Sequence, residues 1–234
     1  MNDNFVFETS ERPSCLIVES KKLFPVRRIF CVGANYVAHA LEMGRNPERD
    51  PPFFFAKPPD AIVNADTILN ANIPYPPHTN NFHYEIEMVV TIGKTATNVE
   101  PEAAFNVIWG YGVGIDLTRR DLQKAAKDKG RPWELGKGFD KSAVISSISP
   151  VSIIGHPKEA RIWLAVNKVV KQDSNIDKLI WSVPEMISIL SKTMTLEPGD
   201  IIYTGTPEGV GPVKKGDKVT GGVDGLGKIS LSIS

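Results

Sequence analysis

The chain is poor in cysteine, in net charge and in long apolar runs, and each shortage removes a class of function. Its 234 residues include only two cysteines, Cys15 and Cys31. They are too few and too far apart for a disulfide framework or a cysteine metal site, which fits a reducing compartment. Lysine plus arginine and aspartate plus glutamate each total 27. The formal charge is therefore zero, and no broad electropositive surface points to nucleic acid or to an anionic membrane. No apolar run approaches the roughly 20 residues that span a bilayer, and the polar Met1-Asn2-Asp3-Asn4 start lacks a secretory pattern. Repeats and low-complexity tracts are missing as well. The expectation is a soluble, cytoplasmic protein whose partner is a small molecule.

What is present is punctuation: 18 prolines and 19 glycines break the chain into many short segments. The length allows one large domain with a sizeable core, preceded by a short N-terminal extension. Residues 5–18 suggest a small strand pair, and 27–33 a strand that runs into a glycine turn. A short helix over 36–43 follows, with Asn35 as its N-cap. Residues 44–52 carry turn formers without periodicity and read as a mobile loop before a strand at 53–58. Further strands are expected at 85–93 and 107–116, helices at 119–129 and 183–191, and a hairpin around 163–172. Strands outnumber helices and the connections are irregular, so the fold class is mixed α+β with a rolled or barrel-like sheet.

The most informative segment is His83-Tyr84-Glu85-Ile86-Glu87, which leads into Met88-Val89-Val90-Thr91-Ile92. Alternate residues of a strand share a face, so Glu85 and Glu87 converge, with His83 on the same side. Two carboxylates about 5 Å apart repel by roughly 3 kcal/mol at an effective dielectric of 20, a cost that a bound hard cation reverses. The alternative is the wet face of an amphipathic strand. A third acid, Asp116, ends the apolar run Gly112-Val113-Gly114-Ile115; it is either a further hard ligand or a helix cap. Oxygen-only ligation argues for magnesium, manganese or calcium over zinc or copper. His83 fits a supporting role better than direct ligation, since hard cations prefer oxygen.

His39 and Glu42 lie three apart on the expected short helix, so Glu42 can orient the imidazole and raise its basicity. Taken alone, such a pair is also ordinary surface decoration. Lys137 stands between two glycines, where close backbone approach is possible; otherwise it is an exposed turn lysine. Arg120 and Gln123 share a helical face. The Thr204-Gly205-Thr206-Pro207 turn can offer hydroxyls and N–H groups to a carboxylate, or simply be a tight turn. Gly209 and Gly211 lack the strand-glycine-helix context of a nucleotide site.

Together, His83-x-Glu85-x-Glu87, Asp116 with Arg120 and Gln123, Gly136-Lys137-Gly138-Phe139-Asp140 and Thr204-Gly205-Thr206-Pro207-x-Gly209-Val210-Gly211 resemble the fumarylacetoacetate hydrolase family. The resemblance covers residues 24–234, leaving 1–23 as the extension. Within the family, Phe24-Pro25-Val26-Arg27-Arg28, Asp50 to Pro58 and Leu117 to Gln123 most resemble the fumarylpyruvate hydrolases of gentisate breakdown. The resemblance implies a compact β-roll, usually a homodimer, and Mg2+ or Mn2+ held by Glu85, Glu87 and Asp116, with Ca2+ possible in crystals. It also implies that His39 and Glu42 sit on a lid and activate water, and that Lys137 stabilises negative charge on substrate oxygen. Arg120 and Gln123 would hold the 2-oxo-acid end, as their family counterparts do, and Thr204 and Thr206 are further substrate-binding candidates.

The expected reaction is hydrolysis of a carbon–carbon bond in an acylpyruvate, with fumarylpyruvate giving fumarate and pyruvate. Arg45, Arg49 and Arg119 are candidates for the far carboxylate. The same site suits an oxaloacetate decarboxylase or a 2-oxo-acid tautomerase. A different class, a non-catalytic metal-stabilised scaffold dimer, would have no turnover for a chelator to remove. One departure from the family pattern is the hairpin Asn167-Lys168-Val169-Val170-Lys171, where Lys168 occupies a turn position that favours glycine.

Overall fold

The strand Ile86–Ile92 is buried along its whole length because both faces of its sheet are covered. In this computed structural model, which describes residues 6, 8, 10–43, 50–66 and 68–234, that sheet has eight strands. The order is Phe53–Lys57, Arg28–Gly33, Asp200–Tyr203, Ile86–Ile92, Ile108–Asp116, Ala143–Ile145 and Ile62–Asn64, with Ser149–Pro150 added against Ile108–Asp116. Pairings are antiparallel except Asp200–Tyr203 with Arg28–Gly33 and Ala143–Ile145 with Ile62–Asn64. A second sheet of five strands runs Val169–Asn175, Arg161–Val166, Lys218–Val223, Gly227–Ile233 and Ala71–Ile73.

Strand alternation divides the apolar side chains between two cores. Ile86, Met88, Val90 and Ile92 face the five-stranded sheet and pack with Ile162, Leu164, Ile229 and Leu231. Val89 points the other way, among Ile29, Cys31, Ile201 and Tyr203. The helix Val183–Thr193 closes the larger core with Val183, Met186, Ile187 and Leu190, the 3.6-residue spacing of one helical face. Its start is fixed by Pro184 in the first turn and by Glu185 Oε2, which accepts from the Ser182 backbone N–H at 2.9 Å. The mixed α+β, rolled-sheet class matches the expectation. Among the described residues no helix is long and apolar enough to cross a membrane.

Local differences have clear causes. The N-terminal pair forms between Ser14–Leu16 and Leu23–Pro25, not within 5–18, because Cys15 is drawn into the second core beside Phe24. The short helix spans Val37–Glu42 with Tyr36 as N-cap and no capping side chain. Asn35 bonds elsewhere: Nδ2 donates to Trp181 O at 3.0 Å and to Thr204 O at 2.8 Å, while Oδ1 accepts from Trp181 N at 2.7 Å. Most of the expected 44–52 loop, with Arg45 and Arg49, lies outside the described residues.

A third, small sheet positions the site. Phe82–Tyr84 pairs with Thr118–Arg119 on one side and Gly211–Val213 on the other. The chain leaves that small sheet at Glu85 and enters the large one at Ile86; it makes the reverse passage at Leu117. These two crossings lie side by side, with Asp116 N donating to Glu85 O at 2.9 Å. The carboxylates therefore collect at the corner between sheets.

Candidate active site

One oxygen from each of Glu85, Glu87 and Asp116 lies within 4.8 Å of the others, and all three residues are buried. Glu85 and Glu87 converge as alternation requires, although the ladder begins only at Ile86. His83 does not join them. Its Nε2 is 2.7 Å from Asn81 Oδ1, and its Nδ1 is 3.5 Å from Arg120 Nε. Since a guanidinium only donates, Nδ1 accepts and Nε2 carries the hydrogen. Burial, and then the Arg120 charge, lowers the His83 pKa to about 4, so a neutral imidazole backs Arg120.

Three cations answer the three acids. Lys137 ends the short helix Glu134–Lys137, and its Nζ donates to Glu85 Oε2 at 2.7 Å and Asp116 Oδ2 at 2.8 Å. Its backbone comes close because Gly136 lies against Gln123: a Cβ there would stand 2.8 Å from Gln123 N. Arg120 Nη2 pairs with Glu85 Oε1, and Nη1 donates to Gln123 Oε1 at 2.6 Å. The third cation, Lys57, escaped the sequence reading. It is buried, bonds Leu117 O at 3.2 Å and the Lys137 carbonyl, and brings its ammonium 2.8 Å from Asp116 Oδ1. The signal for it was alternation, which puts Lys57 on the face of Phe53 and Phe55.

The pairing is uneven. Burial would push the Glu85 carboxyl up, but Lys137 and Arg120 hold it below the usual carboxylate range. Burial, reinforced by the charges of Asp116 and Glu85, drives Glu87 well above that range, with only partial relief from Lys137 and the Gly205 N–H. Asp116 Oδ1 lacks an aligned hydrogen-bond donor despite the nearby Lys57 ammonium. A buried, oxygen-only set with an underpaired carboxyl and an unbonded oxygen fits a hard divalent cation.

His39 is buried, with Nδ1 3.2 Å from Glu42 Oε2. Burial lowers its pKa, against the raising effect of Glu85 and Glu42, so the ring is a neutral acceptor near pH 7. Glu42 also accepts from Gly209 N at 3.2 Å, which ties the helix to the 204–211 turn. That turn serves an anion, but the anion is the protein's own: Gly205 N donates to Glu87 Oε2 at 2.6 Å. Gly205 has φ +100°, and a Cβ would lie 2.7 Å from Asn35 Cβ. Thr204 is not brought to the cleft; its hydroxyl donates to Met88 O at 2.9 Å. Thr206 does line the cleft, and its Oγ1 accepts from Gln172 Nε2 at 2.9 Å.

A cleft brings together Glu85, Glu87, His39, Arg120, Gln123, Lys137 and Thr206. Asp116 lies beneath its floor. One wall is aromatic: Trp133 meets Phe53 at 5.3 Å edge-on and Phe55 at 5.6 Å tilted. Lys127 reaches the cleft from the helix Arg120–Asp128. Arg119 does not; its guanidinium stacks 4.3 Å from the Phe139 ring centroid.

Residues 28–234 match the family model described as fumarylacetoacetate (FAA) hydrolase C-terminal. A fumarylpyruvate hydrolase of Ralstonia sp. is 48% identical over 181 residues, 77% of this chain and 92% of that protein. A mitochondrial oxaloacetate tautomerase of Arabidopsis thaliana is 40% identical over 206 residues, 88% of this chain and 90% of that one. In three dimensions, the fumarylpyruvate hydrolase of Pseudomonas aeruginosa, crystallised with Mn2+ and pyruvate, superposes with a TM-score of 0.97 at 50% identity. That match covers 98% of this chain and 99% of the other.

Proposed function

The chain belongs to the fumarylacetoacetate hydrolase family, and on that premise we propose that it is a metal-dependent acylpyruvate hydrolase that cleaves fumarylpyruvate to fumarate and pyruvate. The observation that carries this reading is the buried Glu85–Glu87–Asp116 cluster in the same cleft as the neutral His39. Mg2+ or Mn2+ held by those three carboxylates would supply a Lewis acid to the 2-oxo-acid oxygens, making an enolate an acceptable leaving group. The Ralstonia and Pseudomonas relatives support the choice of reaction, and the Mn2+ of the latter supports the choice of ion.

The protein's own residues divide the remaining work. His39 takes the proton of the attacking water, and Glu42 fixes the ring and favours its protonated form. Lys137, charged and lining the cleft, receives negative charge that develops on the attacked carbonyl oxygen. Arg120, steadied by Gln123, His83 and Glu85, offers a guanidinium to the 2-oxo-acid carboxylate. Thr206 adds a hydroxyl at the rim. The helix carrying His39, docked through Glu42 to Gly209, closes one side of the cleft against water. A homodimer in the cytoplasm, serving a gentisate-type breakdown route, completes the proposal.

Oxaloacetate tautomerisation is the second reading, favoured by the Arabidopsis relative; it needs His39 to move a carbon-bound proton and needs no nucleophilic water. A panel of fumarylpyruvate, acetylpyruvate and oxaloacetate with Mn2+-loaded protein separates the readings. Stoichiometric fumarate and pyruvate are expected from the first substrate, and faster than acetylpyruvate is consumed. Equal rates on the two acylpyruvates would remove the fumaryl preference, and turnover of oxaloacetate alone would replace hydrolysis by the second reading.

A further inference from the structure

On the helix Arg120–Asp128, residues three and four apart share a face, and Arg120, Gln123 and Lys127 follow that spacing and all line the cleft. Arg120 and Gln123 are buried, whereas Lys127 is exposed. The inner two are committed, to Glu85 and to each other. Lys124, on another face, is taken by Asp128 at 2.6 Å. Among the described residues, Lys127 alone of the cleft's cations has no carboxylate partner.

Seven residues of helix advance about 10 Å, comparable to the span of an extended seven-carbon diacid. Phe53, Phe55 and Trp133 also line the cleft, and their apolar rings suit a flat conjugated chain between the two ends. Within the site, Glu85, Glu87 and Asp116 are matched in number by Lys57, Arg120 and Lys137, so Lys127 contributes surplus positive charge where a second carboxylate would arrive. We infer that Lys127 receives the carboxylate at the far end of the substrate and thereby selects dicarboxylic 2-oxo acids over monocarboxylic ones. This rests on the acylpyruvate reading for the reaction, but not for the binding.

Binding and turnover keep the two apart. Calorimetric titration of the Mn2+-loaded protein with 2-oxoheptanedioate and 2-oxoheptanoate, which differ in the distal carboxylate, should show the diacid bound about tenfold more tightly. Lys127→Met should abolish that difference by weakening the diacid alone, and Lys127→Arg should restore most of it. With fumarylpyruvate, Lys127→Met should raise KM by a similar factor and leave kcat within twofold; with acetylpyruvate neither constant should move. Equal binding of the two oxo acids by the wild type, or a diacid preference that survives Lys127→Met, would overturn the inference. A wild type that prefers the diacid yet cleaves no acylpyruvate would instead refute the proposed reaction and leave Lys127 in its role.

Discussion

At one end of the eight-stranded sheet, fully buried Asp200 accepts from Arg28 Nε at 3.0 Å and Nη2 at 2.6 Å, from Arg27 Nη1 at 3.2 Å and from Glu197 N at 2.8 Å. At the other end, Glu87 has the Gly205 N–H and, among the described residues, no cation within ion-pairing distance. Both acids sit on adjacent strands of one sheet, Asp200–Tyr203 and Ile86–Ile92. The first is saturated by donors that come with the fold and acts as a clamp between strands. The second is one of three carboxylates that share too few donors, which is a costly arrangement for stability alone and a useful one for gripping a cation. Saturation, more than burial, distinguishes these two acids.

The sharpest way to break this contrast is to neutralise each acid. Glu87→Gln should lower hydrolysis by about 10^3-fold or more, with a metal-free urea midpoint close to wild type because burial and the neighbouring acids already favour the uncharged Glu87 carboxyl. Asp200→Asn should do the reverse: a loss of about 2 kcal/mol, discounted for the partial exposure of both arginines, with turnover retained. Urea melts and steady-state rates on the two variants check both halves. Next in size, His39→Ala should reduce hydrolysis by about 10^2- to 10^4-fold while metal binding persists. The wild-type acid limb should lie below the ordinary histidine range, because burial lowers that pKa. Glu42 opposes the shift, so Glu42→Gln should move the limb lower still, as a rate-against-pH series would record.

Lys57→Met should weaken Mn2+ binding by about tenfold, since it frees Asp116 and the Lys137 backbone to shift; an unchanged affinity would make Lys57 a packing residue. The smallest effect belongs to the hairpin. Asn167 and Lys168 have φ of 50° and 69°, and Asn167 is held by Asp217 Oδ1 at 2.8 Å. Lys168 pays the left-handed penalty without such compensation. Lys168→Gly should therefore stabilise the protein by about 1 kcal/mol, read by thermal unfolding, with activity unaltered.

The parts of the molecule governed by short-range pattern were readable in the chain. Alternation put Glu85 and Glu87 together, helical spacing paired His39 with Glu42 and Arg120 with Gln123, and the apolar run ending at Asp116 became the strand Ile108–Asp116. Long-range hydrogen bonding decided the rest. Asn35 had the composition of an N-cap but is spent on Trp181 and Thr204, 146 and 169 residues away. His83 shared the strand period with Glu85, yet the change of sheet at that residue left it behind Arg120. The Thr204–Pro207 turn looked like a nest for substrate, and its Gly205 N–H went to Glu87. Lys57 was hidden because a lysine that ends an apolar strand is ordinarily at the surface; only the partner carboxylate, 59 positions on at Asp116, explains its burial.

Mn2+ titration of chelator-stripped protein, followed by electron paramagnetic resonance of the free ion, reads out the carboxylate cluster itself. Wild type and Asp200→Asn should each take up one ion per chain, and Glu87→Gln should leave nearly all of the manganese free at the same concentration. Equal uptake by all three proteins, or none by the wild type, would contradict the assignment of Glu85, Glu87 and Asp116 as a cation site.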